Sequence, residues 1–156
     1  MVYMKIGFFT PYLDIMGGGE KYLLDIAKAC HSLGYKPVLF WKNKSIISSI
    51  LTQFGPDYSC VEIDTTWHSA NSVVRLIKTK QFEAFFYHPD GSYFMSWAKK
   101  NYALLQVPEG ILIPKKKPVN SYKFNFWTPV YNSRFTKQFF ERNYKEVQKG
   151  IVLYPT

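Results

Sequence analysis

The sequence predicts an α/β domain, in which a mostly parallel sheet carries helices on both faces. Short apolar runs alternate along the 156 residues with segments whose apolar residues recur at helical spacing. The connections are short, and a strand, a helix and a strand joined in this way form a right-handed unit with two parallel strands. Repetition of that unit produces a parallel sheet that is covered on both sides.

The opening unit shows the pattern most clearly. Residues 5–9 form an apolar run typical of a buried strand, residues 20–32 carry a helical apolar face, and residues 37–41 form a second strand. The later predicted elements are a helix 45–54, a strand 60–63, a helix 69–80, a strand 82–87, a short helix 93–99, a strand 102–107, a strand 126–132, a helix 134–144 and a strand 151–154. Helix 69–80 has the apolar residues Val73, Val74 and Ile77 and the basic residues Arg75, Lys78 and Lys80, which are expected to be exposed.

Length and composition limit the class of protein. A chain of 156 residues with 47% hydrophobic and 20% charged residues is one globular domain and excludes a disordered chain. No apolar run approaches the roughly 20 residues of a membrane-spanning helix, and no signal-peptide pattern opens the chain. Two cysteines and three histidines without ligand spacing predict neither a disulfide framework nor a metal site. We therefore expect a cytoplasmic protein.

The net charge of +9 is concentrated towards the carboxyl-terminal half, where residues 81–156 hold 11 basic and 5 acidic groups. Four interpretations stay open at this point: solvated lysines, anionic phospholipid, nucleotide phosphates and nucleic acid. No binding motif of a known nucleic-acid module is present, which counts against the last of them.

Three contiguous glycines, Gly17, Gly18 and Gly19, lie between the first strand and the first helix. Glycine lets the backbone come close to a ligand, and the N–H groups and dipole of the following helix favour an anion there. The alternative is a tight turn that needs positive φ and holds no ligand. Glu20 follows in the first turn of the helix, where a carboxylate complements the dipole.

Both ends of the chain carry family motifs. They are the segments 6–12 (IGFFTPY), 17–20 (GGGE), 33–35 (LGY), 131–137 (YNSRFTK) and 151–155 (IVLYP), together with Ala27 and Val38. In this order, the segments resemble the N-terminal half of retaining GT-B glycosyltransferases of family four. The resemblance implies a Rossmann-like sheet in one of two facing domains, with the active site in the cleft between them.

The resemblance also implies a division of labour. Residues 1–156 would correspond to the acceptor-side domain. We expect the donor-binding C-terminal domain, with its paired glutamates, to lie outside these residues, either in the same protein or in a separate chain. The donor would be a nucleotide-sugar, used as substrate without a cofactor, and a hexose would pass to a glycan or lipid-linked acceptor. We expect no efficient transfer from this chain alone.

Site residues follow from the matching positions. Gly17–19 would contact the donor diphosphate, and His88, at the end of a strand, would be the catalytic residue that faces the transferred sugar. The family's glutamate-proline pair after this histidine is proline-aspartate here. Tyr12, Asp14 and Glu109 are candidate acceptor contacts. The alternatives are a structural histidine, a packed tyrosine and solvated loop acids, while His31 and His68 are expected to be structural or at the surface.

The run Lys115, Lys116 and Lys117 follows the apolar residues 111–113. It is a candidate contact with an anion or with the anionic inner surface of a membrane, to which the protein would bind peripherally. The alternative is a solvated loop.

A competing hypothesis is a small Rossmann-type module that binds a nucleotide or regulates without catalysis. Two features count against a dinucleotide. The glycines are contiguous rather than spaced as Gly-x-Gly-x-x-Gly, and Phe40, Trp41 and Lys42 stand where an acidic residue would follow the second strand.

Overall fold

The computed structural model describes residues 4–107, 122–144 and 149–155. The strands are β1 (Lys5–Phe9), β2 (Lys36–Phe40), β3 (Glu62–Asp64), β4 (Phe82–Tyr87), β5 (Lys100–Leu105), β6 (Thr128–Tyr131) and β7 (Ile151–Val152). The helices are α1 (Gly18–Ser32), α2 (Ile46–Phe54), α3 (Ser72–Thr79) and α4 (Arg134–Asn143), with short 3₁₀ turns at Leu13–Ile15 and Pro56–Cys60. None of the helices within the described ranges is long and apolar enough to cross a bilayer.

The seven strands form one sheet in the order β3-β2-β1-β4-β5-β6-β7. Every adjacent pair is parallel, which confirms the predicted α/β class and its Rossmann-like character. The chain runs outwards from β1 to β3 and then returns to the other side of β1 with β4. The connections therefore diverge between β1 and β4, and the crevice at the carboxyl ends of these two strands is the ordinary ligand position in such sheets.

One face of the sheet is covered by α1 and α2, and the other by an aromatic cluster. Phe85 lies at the centre of that cluster with no exposed surface, stacked against Phe40 at 5.7 Å between ring centroids. Gly7 on β1 makes room for it, because a Cβ atom at Gly7 would lie 2.5 Å from Cδ2 of Phe85. Its other ring neighbours are Trp67, Phe82, Phe94 and Trp127.

The predicted helix over residues 93–99 is wrong, since this stretch runs as irregular chain into β5. Its backbone is bonded to neighbours rather than to a helical ladder. The Trp97 N–H donates to Oγ1 of Thr79 at 2.8 Å, and the Lys99 N–H donates to the carbonyl of Phe82 at 3.2 Å. The dense aromatic composition serves the core, where Tyr93 is buried against Tyr87.

Helix α3 is shorter than predicted, and two of its basic side chains are not exposed as expected. Arg75 and Lys78 are half-buried. The guanidinium of Arg75 lies 5.4 Å from the ring centre of Trp67, and the Lys78 ammonium donates to the hydroxyl of Thr66. Lys80 is exposed, as predicted. Cation–π contact with a buried indole draws the arginine inwards.

Candidate functional site

The candidate site lies in the crevice between β1 and β4. His88 follows β4 directly, and its backbone N–H donates to the carbonyl of Phe9, the last residue of β1, at 2.9 Å. The chain leaving β1 passes through the short turn Leu13–Ile15 and reaches Gly17 at the start of α1. The sheet thus brings together the glycines and the histidine, which are about 70 residues apart in the sequence.

The three glycines do not adopt positive φ. Gly17 is extended, with φ −89° and ψ −169°, while Gly18 and Gly19 form the first turn of α1. The residue of this loop that adopts the left-handed conformation is Met16, with φ 53°. The interpretation of a glycine turn that needs positive φ is therefore wrong, and the glycines require another explanation.

Space explains one of these glycines and not its neighbour. A Cβ atom on Gly19 would lie 2.7 Å from Cε1 of His88 and 3.3 Å from Oε1 of Gln106, so a larger residue there would have to displace the imidazole. A Cβ atom on Gly18 would meet no atom of the described residues within 4 Å. Gly18 lines the cleft at the start of α1, where backbone N–H groups lack intrahelical partners.

Glu20 is bound to the loop and to His88 at once. It is 4% exposed, its Oε2 accepts the Gly17 N–H at 2.9 Å, and its Oε1 lies 3.4 Å from Nδ1 of His88. Burial opposes ionisation, yet the hydrogen bonds from His88 and from backbone N–H groups prevail and lower the pKa of Glu20. The sequence had indicated only a helix-dipole role for this carboxylate.

Of the two ring nitrogens of His88, Nδ1 has polar neighbours, whereas Nε2 has no hydrogen-bond partner among the described residues. Its Nδ1 lies 3.4 Å from Oε1 of Glu20 and 3.4 Å from the hydroxyl of Thr10. Its Nε2 makes no hydrogen bond to any residue of the described ranges. A neutral imidazole anchored through Nδ1–H to a carboxylate exposes Nε2 as an acceptor, and the protonated ring exposes a donor.

Two amide side chains to which the sequence assigned no role in the site complete the cleft. Nε2 of Gln106 donates to the carbonyl of Gly19 at 3.2 Å, and Nδ2 of Asn132 donates to the carbonyl of Gln106 at 2.8 Å. The hydroxyl of Thr136 donates to Oδ1 of Asn132 at 2.8 Å. Gln106 and Asn132 closely follow β5 and β6, and this shared strand-end position is the signal that could have found them.

The cleft beside the helix N-terminus has a volume of about 430 Å³. Its lining comprises Gly18, Gly19, Tyr22, Gln106, Val107, Asn132 and Pro155, together with Lys21 and Asp25, whose side chains form an ion pair at 2.8 Å. The two amide side chains and the backbone N–H groups of the helix N-terminus can hydrogen-bond a ligand there, and the helix N-terminus favours an anionic one.

Of the acceptor candidates, Tyr12 reaches the site. Its ring lies 6.0 Å from the ring of His88 at 65°, and it is partly exposed. Burial and the nearby carboxylates of Asp90 and Glu20 raise the pKa of Tyr12, so its phenol stays a hydrogen-bond donor at neutral pH. The carboxylate of Asp14 instead lies 3.5 Å from the ammonium of Lys42, and both side chains are exposed.

The other candidate residues contribute nothing to the described part of the site. Glu109 and the run Lys115, Lys116 and Lys117 lie outside the described residues. His31 and His68 are exposed, in agreement with a surface position. Within the described ranges, no group of three histidine, cysteine, aspartate or glutamate side chains is arranged to hold a metal ion.

Comparison with known proteins identifies no relative. No protein-family model matches the chain, and neither a curated protein sequence nor a solved structure matches it. The fold and the crevice define an α/β domain of Rossmann-like class with a polar site at its switch point.

Acidification is expected to remove the contribution of Glu20 to stability. The pKa of Glu20 in the folded chain lies below its ordinary value of 4.5, so the stabilisation is complete above that value and is lost as the pH falls through the folded-state pKa. Urea unfolding should be measured from about pH 7 down to about pH 3 for the native chain and Glu20→Gln. The difference in free energy of unfolding between them should shrink on acidification, and a constant difference would contradict the assignment.

Proposed function

We propose that this chain is the acceptor-side, N-terminal half of a retaining nucleotide-sugar glycosyltransferase that transfers a hexose to a glycan or lipid-linked acceptor. The observation that carries the proposal is the helix N-terminus at Gly18 and Gly19 in the switch-point crevice, where Gly19 lies against His88 and Gly18 lines the cleft. Transfer of a glycosyl group leaves negative charge on the departing nucleotide diphosphate. Free N–H groups at a helix N-terminus are suited to stabilise that charge.

The roles of the side chains follow from their positions. His88 presents Nε2 to a sugar hydroxyl or to the reacting centre, while Glu20 and Thr10 hold the other face of its ring. Tyr12, next to the His88 ring, offers an aromatic surface and a phenol to the acceptor sugar. A second domain that binds the nucleotide would close the cleft from the opposite side, either within the same protein or as a separate chain.

The proposal can be tested by amide chemical shifts. We would titrate the ¹⁵N-labelled chain separately with nucleoside-diphosphate sugars, with NAD and with a short RNA. Nucleoside-diphosphate sugars should shift the amide signals of Gly18 and Gly19, through the diphosphate, and also that of His88, through the sugar, which NAD with its own diphosphate does not carry in the same place. A larger response to NAD would favour a dinucleotide-binding module, and a response spread over the basic surface with RNA alone would favour nucleic acid.

Alanine substitutions at the two neighbouring glycines are expected to act in opposite directions on stability. Gly18→Ala meets no atom within 4 Å and should raise the free energy of unfolding by about 0.4–1 kcal/mol, because the unfolded chain loses entropy. Gly19→Ala places Cβ 2.7 Å from His88 and should lower it by about 1–3 kcal/mol. Urea denaturation measures both changes.

The same pair tests the site. Gly18→Ala should weaken the response to nucleoside-diphosphate sugars although the protein is more stable. If the stabilised Gly18→Ala variant binds these ligands as the native chain does, the helix N-terminus is not the phosphate site.

A further inference from the structure

Helix α3 exposes its apolar side chains and turns basic side chains towards the protein. Val73 and Ile77 are 63% and 56% exposed, while Arg75 lies over the ring of Trp67. Surface helices of globular proteins normally turn the apolar stripe towards the core. An apolar stripe that faces the solvent contributes little to the free energy of folding. Contiguous exposed apolar surface marks interaction sites.

Trp97 is a further exposed apolar residue, tied to the carboxyl-terminal end of α3. Its indole is 52% exposed, and its backbone N–H donates to the hydroxyl of Thr79, the last residue of α3, at 2.8 Å. We call the exposed side chains of Val73, Val74, Ile77 and Trp97 the docking face. Tryptophan combines an apolar ring with an N–H donor, which suits a boundary between apolar and aqueous phases.

Lysines follow both segments of the docking face in the chain, Lys80 directly after α3 and Lys100 three residues after Trp97. Residues 65–82 contain no aspartate or glutamate. Lys80 and Lys100 are exposed and form no ion pair with another residue of the described ranges, whereas Lys99 is paired with Glu83 at 2.6 Å. The region therefore combines exposed apolar side chains with lysines that no acidic side chain among the described residues neutralises. The net charge of the whole chain, +9 at neutral pH, has the same sign.

We infer that the docking face binds the surface of an anionic lipid bilayer. Aliphatic and indole side chains enter the boundary between headgroups and acyl chains, and the flanking lysines attract anionic headgroups. A second copy of this chain would bring the same uncompensated lysines together. A nucleic acid would use the lysines and leave the aliphatic side chains in water. This inference does not depend on the proposed transferase function.

Vesicle binding tests the inference directly. The chain should co-sediment with vesicles of mixed phosphatidylglycerol and phosphatidylcholine, bind pure phosphatidylcholine weakly, and dissociate as salt rises. The double variant Val73→Ser with Ile77→Ser should bind about tenfold more weakly or worse. Lys80→Ala and Lys100→Ala should each weaken binding about fivefold.

Phe135 supplies the matched control. It is an apolar residue on α4 and 69% exposed, so Phe135→Ser removes comparable exposed apolar surface away from the docking face. Its vesicle binding should equal that of the native chain. Equal weakening by Phe135→Ser and by the α3 double variant would overturn the inference, as would loss of binding caused solely by alanine at Lys115, Lys116 and Lys117.

Tryptophan fluorescence gives a second readout that needs no substitution in α3. All four tryptophans lie in the described ranges, and Trp41, Trp67 and Trp127 are at most 3% exposed. Brominated phosphatidylglycerol vesicles should therefore quench Trp97 selectively, and Trp97→Phe should remove the quenchable signal. Absence of quenching overturns the inference. A native dimer that becomes monomeric in the α3 double variant, measured by sedimentation velocity, would assign the face to a second copy instead.

Discussion

Replacing Phe85 by alanine is expected to lower the free energy of unfolding by about 3–5 kcal/mol. The ring has no exposed surface and touches aromatic neighbours from both strands and loops, so its loss removes buried area and leaves a cavity. Domains of this size are stable by about 5–15 kcal/mol, so the variant should be near the limit of folding. Urea or guanidinium unfolding followed by circular dichroism measures the change.

A matched control uses the same chemical change at an exposed position. Phe135→Ala truncates a phenylalanine that lies largely in water, and it should change the free energy of unfolding by less than about 0.5 kcal/mol. If the two variants lose similar stability, the aromatic face of the sheet is not the main core. Gly7→Ala combined with Phe85→Leu should lower the free energy of unfolding less than Gly7→Ala alone does. That result would confirm the close approach of Phe85 to β1.

Replacing His88 by alanine in a protein that joins this chain to a donor-binding domain is expected to lower the rate of sugar transfer by about 10²–10⁴. The imidazole is held by Glu20 and Thr10 through Nδ1 and lies against Gly19, while Nε2 has no hydrogen-bond partner among the described residues. Alanine removes the single side chain that the proposed mechanism places at the reacting sugar. Steady-state rates with a nucleotide-sugar and an acceptor measure the loss.

The controls separate chemistry from folding. His31→Ala changes an exposed histidine and should leave the transfer rate unchanged. Glu20→Gln keeps a hydrogen-bonding side chain beside Nδ1 but removes the charge, so the pH dependence of the rate should shift together with its magnitude. A His88→Ala protein that transfers sugar as fast as His31→Ala would exclude a catalytic role for His88.

Much of the architecture could be predicted from local pattern. The apolar strands and helical periodicities depend on near neighbours in the chain, and short connections between them require parallel strands. The same logic predicted that the glycines and His88 lie at one edge of the sheet. Carboxyl ends of parallel strands meet there whatever the side chains are.

Side-chain contacts between residues distant in the sequence could not be predicted from local pattern. The role of Glu20 depends on His88, and the difference between Gly18 and Gly19 depends on which side of the helix faces the imidazole. Gln106 and Asn132 enter the site through hydrogen bonds across strand ends. No spacing in the sequence specifies such pairings.

The chain by itself therefore determined the class of fold, the order of most elements and the edge that holds the crevice. Tertiary packing decided that residues 93–99 are irregular and that α3 faces outwards. The physical reason is competition for the same apolar surface of the sheet. The buried indole of Trp67 stacks on Phe85 and lies tilted against Phe40, and Arg75 of α3 lies over that indole. The place that an apolar helix face would have filled is already occupied.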